Sequence, residues 1–137
     1  MIGKFTARTR PADGFTLMEL MVVLSLIVLL ASIGLMAYSS SVTRGREAVL
    51  SEDLFRMRDA IDQYYVDKGK YPTDLSELVG AGYLRAVPVD PMTKSSETWQ
   101  AIPAEPDANN PSAELGIYNV KSGSEALALD GSKYADW

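Results

Sequence analysis

Nineteen consecutive residues, Leu20 to Tyr38, carry no formal charge. At ~1.5 Å of rise per residue such a run, if helical, crosses the ~30 Å hydrocarbon core of a bilayer. Only Ser25 and Ser32 interrupt it as clearly polar side chains. The run is apolar on every face. A chain of 137 residues has too little other mass to bury it, so the sequence predicts a membrane-inserting helix rather than a core helix of a soluble domain. One carboxylate, Glu19, stands immediately before it. A charge at the bilayer centre costs roughly 2.5–3.5 kcal/mol on insertion scales and less near the interface, so the acid needs a compensating group. Its own helix N-terminus is one candidate, because the helix dipole favours a negative charge there.

Ahead of the run, residues 1–14 hold Lys4, Arg8 and Arg10. Positive charge remains on the cytoplasmic side, which places everything after the run outside the cytoplasm. A conventional signal peptide would be cut after its apolar segment, and Ala37 offers a small residue for that. The join of Gly14 to Phe15-Thr16-Leu17-Met18-Glu19 offers a cut before the run instead.

Past Tyr38 the periodicity becomes amphipathic. Val42, Val49, Leu50, Leu54, Met57, Ile61 and Tyr64 or Tyr65 recur at helical spacing. Arg44, Arg46, Glu47, Glu52, Asp53, Arg56, Arg58, Asp59 and Asp62 fill the intervening positions and read as a solvated face. A stop near Asp67 is expected from Gly69 and Pro72. Thr73 or Asp74 can cap a short helix through Val79. The segments 97–103, 115–120 and 125–130 read as strands, with Trp99, Ile102, Ile117, Tyr118, Val120, Leu127 and Leu129 as their core. The class is therefore α+β: a long N-terminal helical stem against a small antiparallel sheet.

Composition narrows the chemistry. The chain has no histidine and no cysteine, which removes the commonest general base, the thiolate nucleophile and the usual zinc ligands. The net charge of −5 argues against nucleic acid as a partner. No Gly-rich phosphate loop is visible, and the reading is that this is not an enzyme. A membrane-anchored monomeric binding domain or enzyme is the alternative from another class.

The Gly14/Phe15 join, Thr16, Leu17 and Glu19, followed by the apolar segment, resemble the processing site of type IV pilins and type II secretion pseudopilins. Tyr71-Pro72, Gly82-Tyr83-Leu84 and Val87-Pro88 with Asp90-Pro91 are similar to the major pseudopilin of type II secretion. The resemblance implies a pilin fold with a leader at 1–14, a membrane or filament-core helix half at 15–38, an amphipathic half at 39–68 and a globule at 69–137. It implies cleavage between Gly14 and Phe15 by a prepilin peptidase and methylation of the new Phe15 amine. That amine on one subunit would then meet Glu19 of its neighbour in a homo-oligomeric helical filament. Without the leader, ten basic side chains would face seventeen acidic ones, a balance of −7.

The implied partners are an inner-membrane platform protein, an assembly ATPase and minor pseudopilins. The implied location is the inner membrane, single-pass, with the C-terminal domain in the periplasm. The implied function is a pseudopilus subunit that helps drive folded proteins across the outer membrane. The N-terminal motif fits equally a true type IV pilus used for adhesion, twitching or DNA uptake. The family often has a proline in the stem where Met36 stands, beside Gly34. The major pseudopilins also hold calcium near the C-terminus. The oxygen donors matching that region are Asp130 and Asp136 with Ser122 and Ser124, although a turn at Asp130-Gly131 explains the same residues without a metal.

Overall fold

A computed structural model describes residues 1–3 and 14–137 of the chain. Lys4, Arg8 and Arg10, which carry the topology argument, lie outside the described residues. The chain divides into two compact units, residues 1–38 and 39–137.

Helix α1, Leu17–Lys68, is 52 residues long and continues without interruption through Gly34 and Met36. Its stop matches the expected one to within a residue, and Gly69 follows in the left-handed region at φ +70°. In the first unit every helical side chain is exposed. Ser25 and Ser32 turn their hydroxyls inward to the Met21 and Val28 carbonyls at 2.8 and 2.7 Å, so neither presents an unsatisfied donor to a nonpolar surrounding.

In the second unit the helix has a buried stripe. Leu50, Leu54, Met57, Ala60, Ile61 and Tyr64 are buried at the expected spacing, while Val49 is half exposed and points away. Leu50, Leu54 and Met57 pack with Trp99, Val120, Ala128 and Tyr134. Ala60, Ile61 and Tyr64 pack with Leu78 and Ile117. Each large apolar side chain buried this way contributes about 1.5–3 kcal/mol. This packing, rather than intrinsic propensity, stabilises the soluble half of the stem.

Helix α2, Leu75–Gly80, is capped by Asp74, whose carboxylate accepts the Glu77 N–H at 2.8 Å. Strands β1, Gln100–Pro103, and β2, Ile117–Lys121, form one antiparallel pair. Two strands alone are marginal in water, so the pair depends on the stem it covers. The expected third strand at 125–130 is not present. That segment instead folds on itself: Ala128 N–H donates to the Ser132 carbonyl, Tyr134 N–H to the Ala126 carbonyl, and Gly131 turns the chain at φ +88°. A short 3₁₀ helix, Tyr134–Asp136, closes the chain.

Four residues of the expected core, at three places, are not buried. Ile102 pairs with Asn119 but Pro103 pairs with Ile117, so Tyr118 is the extra residue of a bulge and is turned outward, half exposed. In the final turn the alternation is shifted by one: Ala128 is buried while Leu127 and Leu129 are exposed. The third departure is Ile102, which is only partly covered.

Candidate functional site

The predicted processing and assembly residues lie together where α1 begins. Gly14 sits in open space, with nothing within 4 Å of where a Cβ would project. Phe15 is 84% exposed. Thr16 precedes the first helical residue, and its side chain accepts the Glu19 N–H at 3.1 Å. Its carbonyl accepts the Leu20 N–H at 3.1 Å. Thr16 thus satisfies one of the orphan donors of the helix, and Glu19 occupies the third helical position of a Thr-x-x-Glu sequence. An acid in the first turn also complements the positive end of the dipole. Within one molecule, Glu19 is therefore compensated only in part. Its carboxylate is exposed, beside an apolar helix that is also exposed. This arrangement leaves a charge and a large apolar area for something outside the chain to cover.

The second unit fastens its C-terminal turn to the stem through two side chains that the sequence suggested were solvated. Glu47 Oε1 accepts the Leu129 N–H and the Tyr134 hydroxyl, both at 2.8 Å. Burial, with Glu47 alongside, pushes the Tyr134 phenol up to about 12. Arg58 donates to Asn119 Oδ1 at 2.8 Å and to the carbonyls of Val120 and Trp137. Neither role was visible in the helical pattern, because a charged residue at the margin of an apolar stripe reads the same whether it points to water or to a loop.

Asp90 is fully buried. Its carboxylate takes the Ser122 hydroxyl at 2.6 Å and the Met92 N–H at 2.8 Å. Its backbone N–H and carbonyl close the turn with Ser95 and Lys94. The acid of the Val-Pro-x-Asp-Pro segment is a structural bracket.

The four calcium candidates make separate local bonds. Ser122 is occupied by Asp90, and its oxygen also accepts the Ser124 N–H at 3.2 Å. Asp130 Oδ1 accepts the backbone N–H and hydroxyl of Ser132, which holds its carboxyl below the usual range. Asp136 is exposed in the closing 3₁₀ helix. Among the described residues no group of three or more carboxylates lies together in a way that could hold a metal ion. In this arrangement Ser122, Ser124 and Asp130 are engaged in local bonds, and the segment has the form of the Asp130-Gly131 turn.

Comparison with known proteins adds an independent line. Residues 9–35 match the prokaryotic N-terminal methylation motif. The chain is 36% identical over 81 residues to a fimbrial protein of Eikenella corrodens, an alignment covering 56% of this chain and 53% of the relative. It is 32% identical over 94 residues to type II secretion system core protein G of Klebsiella pneumoniae, covering 57% of this chain and 67% of that protein. A type IV major pilin protein of Neisseria gonorrhoeae matches at 38% over 61 residues, covering 43% of this chain and 36% of the relative. The chain thus spans about half the length of the first of these relatives and about a third of the last. No solved structure matches it.

Proposed function

The chain belongs to the type IV pilin-like family that includes type II secretion core protein G, and from that premise we propose that it is the structural subunit of a pseudopilus, a periplasmic filament that helps move folded proteins across the outer membrane. The observation that carries the reading is the pairing of an apolar stretch of helix, residues 20–38, exposed on every face, with a single exposed carboxylate in the first turn. Bilayer lipid covers such a helix before assembly, and other copies of the same helix cover it afterwards. On this reading the prepilin peptidase cuts between Gly14 and Phe15, and the amine so created on Phe15 neutralises Glu19 of an adjacent subunit. The pair removes two charges from an apolar surrounding and sets the axial register of each incoming subunit.

The subunit is held in the inner membrane by a single helix, with residues after Tyr38 in the periplasm, until a platform protein and an ATPase assemble it. Its work is mechanical and it is not an enzyme. Two features favour the pseudopilus. The alignment with core protein G covers 67% of that protein, against 53% of the Eikenella fimbrial protein and 36% of the Neisseria pilin, and the Gly82-Tyr83-Leu84 to Asp90-Pro91 segment resembles the major pseudopilin. The fimbrial matches support the second reading, a subunit of a true type IV pilus. Deleting the gene and measuring exoprotein secretion and surface motility separates the two: loss of secretion with intact motility supports the pseudopilus, and the reverse supports the pilus.

A further inference from the structure

The second unit, residues 39–137, contains six tyrosines, and they fall into two groups. Tyr64, Tyr83 and Tyr134 each give their hydroxyl to a carboxylate of the same chain: Glu77, Asp67 and Glu47. Tyr65, Tyr71 and Tyr118 make no side-chain hydrogen bond among the described residues and stack on one another instead. The rings of Tyr65 and Tyr71 are 4.4 Å apart at 25°, and those of Tyr71 and Tyr118 are 6.4 Å apart at 71°. Tyr65 and Tyr118 are 45% and 48% exposed, so the stack is open to its surroundings. Tyr71 and Tyr118 line a groove of about 410 Å³ whose remaining wall is Ala104 and Glu105. The loop that continues from that wall to Gly116 holds Glu105, Asp107 and Glu114, with no Lys or Arg.

Open tyrosine faces beside Glu105, at the start of a loop with no basic residue, form a surface for a cation: the ring quadrupoles and the carboxylate attract the same sign of charge. Most basic side chains of the unit that bond do so internally. Arg56 pairs with Glu52, Lys133 with Glu125, and Arg58 is consumed by β2 and Trp137. The side chains of Lys68, Lys70, Arg85 and Lys94 are exposed and form no ion pair or hydrogen bond among the described residues, and the same holds for Arg44 and Arg46, two positions apart on the stem. A guanidinium suits a ring face better than an ammonium, and Arg85 lines a groove with Asp53 and Asp59 of its own molecule, so Arg44 and Arg46 are the arginines left for another copy. They lie about twenty residues before Tyr65 on the same helix, roughly 30 Å along its axis, too far to reach the groove of their own molecule.

The geometry points to a contact between copies, in which the Tyr71–Tyr118–Glu105 groove of one subunit receives the Arg44 or Arg46 guanidinium of another displaced by about 30 Å along the stem. Because the two patches are different surfaces of the same chain, the contact is heterologous and propagates into an open helical array instead of closing a dimer. This inference rests on the filament reading and adds to it a contact outside the apolar helix core.

The chain has no cysteine, so an introduced pair reports without background. The test uses the full chain in its host membrane, with E105C combined with R44C or with R46C, treated with a bis-maleimide after assembly. Filaments are sedimented in parallel. The expected result is a ladder of covalent multimers with at least one pair, while each single variant stops at dimers. Filaments that sediment normally but give no species above a dimer with either pair overturn the inference and leave the filament reading standing. If the unsubstituted chain gives no sedimentable filament, both fall. A charge exchange guards against a local distortion by cysteine. E105R and the double variant R44E/R46E are each expected to lose filament yield, and their combination to recover it. Failure of the combination to recover also counts against the contact.

Discussion

Glu47 on the stem and Tyr134 in the closing turn are joined by a 2.8 Å hydrogen bond across 87 positions of sequence. The same carboxylate oxygen holds the Leu129 N–H, so one side chain fixes both ends of the final turn. The turn covers Leu50 and Leu54, and its buried residues Ala128 and Tyr134 belong to the same core cluster.

Glu47→Ala removes the acceptor for two donors, one of them on a buried tyrosine. A cost of about 1–3 kcal/mol is expected, since a buried donor left without a partner loses its full solvation. Tyr134→Phe removes only one bond and is expected to cost less. The two together are expected to be less than additive, because they share one interaction. Thermal unfolding of the full chain in detergent, followed by near-ultraviolet circular dichroism, measures all three.

Glu77 contributes to the acid limb of stability, alongside Asp74 and Asp130, whose carboxyls are also lowered by hydrogen bonds. The Tyr64 hydroxyl, then the backbone and side chain of Thr73, hold the Glu77 carboxyl down to about 2 from an ordinary 4.5. The folded state therefore favours the ionised form. The stabilisation is fully present above about 4.5 and is lost as pH falls from there toward 2. Tyr134 acts at the other end. Its phenol is raised from 10 to about 12, so the folded state favours the protonated form, and stability is lost as pH rises through that interval. Melting temperature against pH is expected to fall at both limits, and Glu77→Gln is expected to flatten the acid one.

Two glycines mark close approaches of the backbone. A Cβ at Gly123 would overlap the Thr98 carbonyl, and one at Gly116 would overlap the backbone and Cβ of Tyr71. Gly123→Ala and Gly116→Ala are expected to destabilise by roughly 1–3 kcal/mol, the usual range for overpacking. Gly14→Ala meets nothing, so it is expected to leave the melting temperature unchanged while blocking removal of residues 1–14. Mass analysis of the N-terminus together with a melting curve separates these effects.

With the Ser122 hydroxyl given to Asp90 and the Asp130 carboxylate taken up by Ser132, chelation by EDTA is expected to leave the melting temperature unchanged. A drop reversed by calcium would return Asp130 and Asp136 to a metal site.

The stem was legible because two periodicities succeed one another in it: an uncharged run to Tyr38, then a stripe through Leu50, Leu54, Met57 and Ile61. Asp74 was legible as a cap because capping depends on neighbours a few residues away. Tyr118 was misread because a bulge depends on the partner strand. Leu127 and Leu129 were misread because Glu47, about eighty residues earlier, sets which face of that segment turns inward. Glu47, Arg58 and Asp90 act across the fold, and local pattern has no term for such contacts. At the start of the stem Gly14, Phe15, Thr16, Leu17 and Glu19 are read from their order along the chain. The Thr16 cap on the Glu19 N–H is legible in the same stretch as a Thr-x-x-Glu sequence.

The most direct measurement takes the Glu19→Ala variant in the native host and records three things: membrane insertion, the mass of the mature N-terminus, and the amount of sedimentable filament. The account predicts normal insertion, a chain beginning at methylated Phe15, and loss of filament. Filaments in ordinary yield from that variant would contradict it, because assembly would then proceed with no carboxylate for the Phe15 amine to meet.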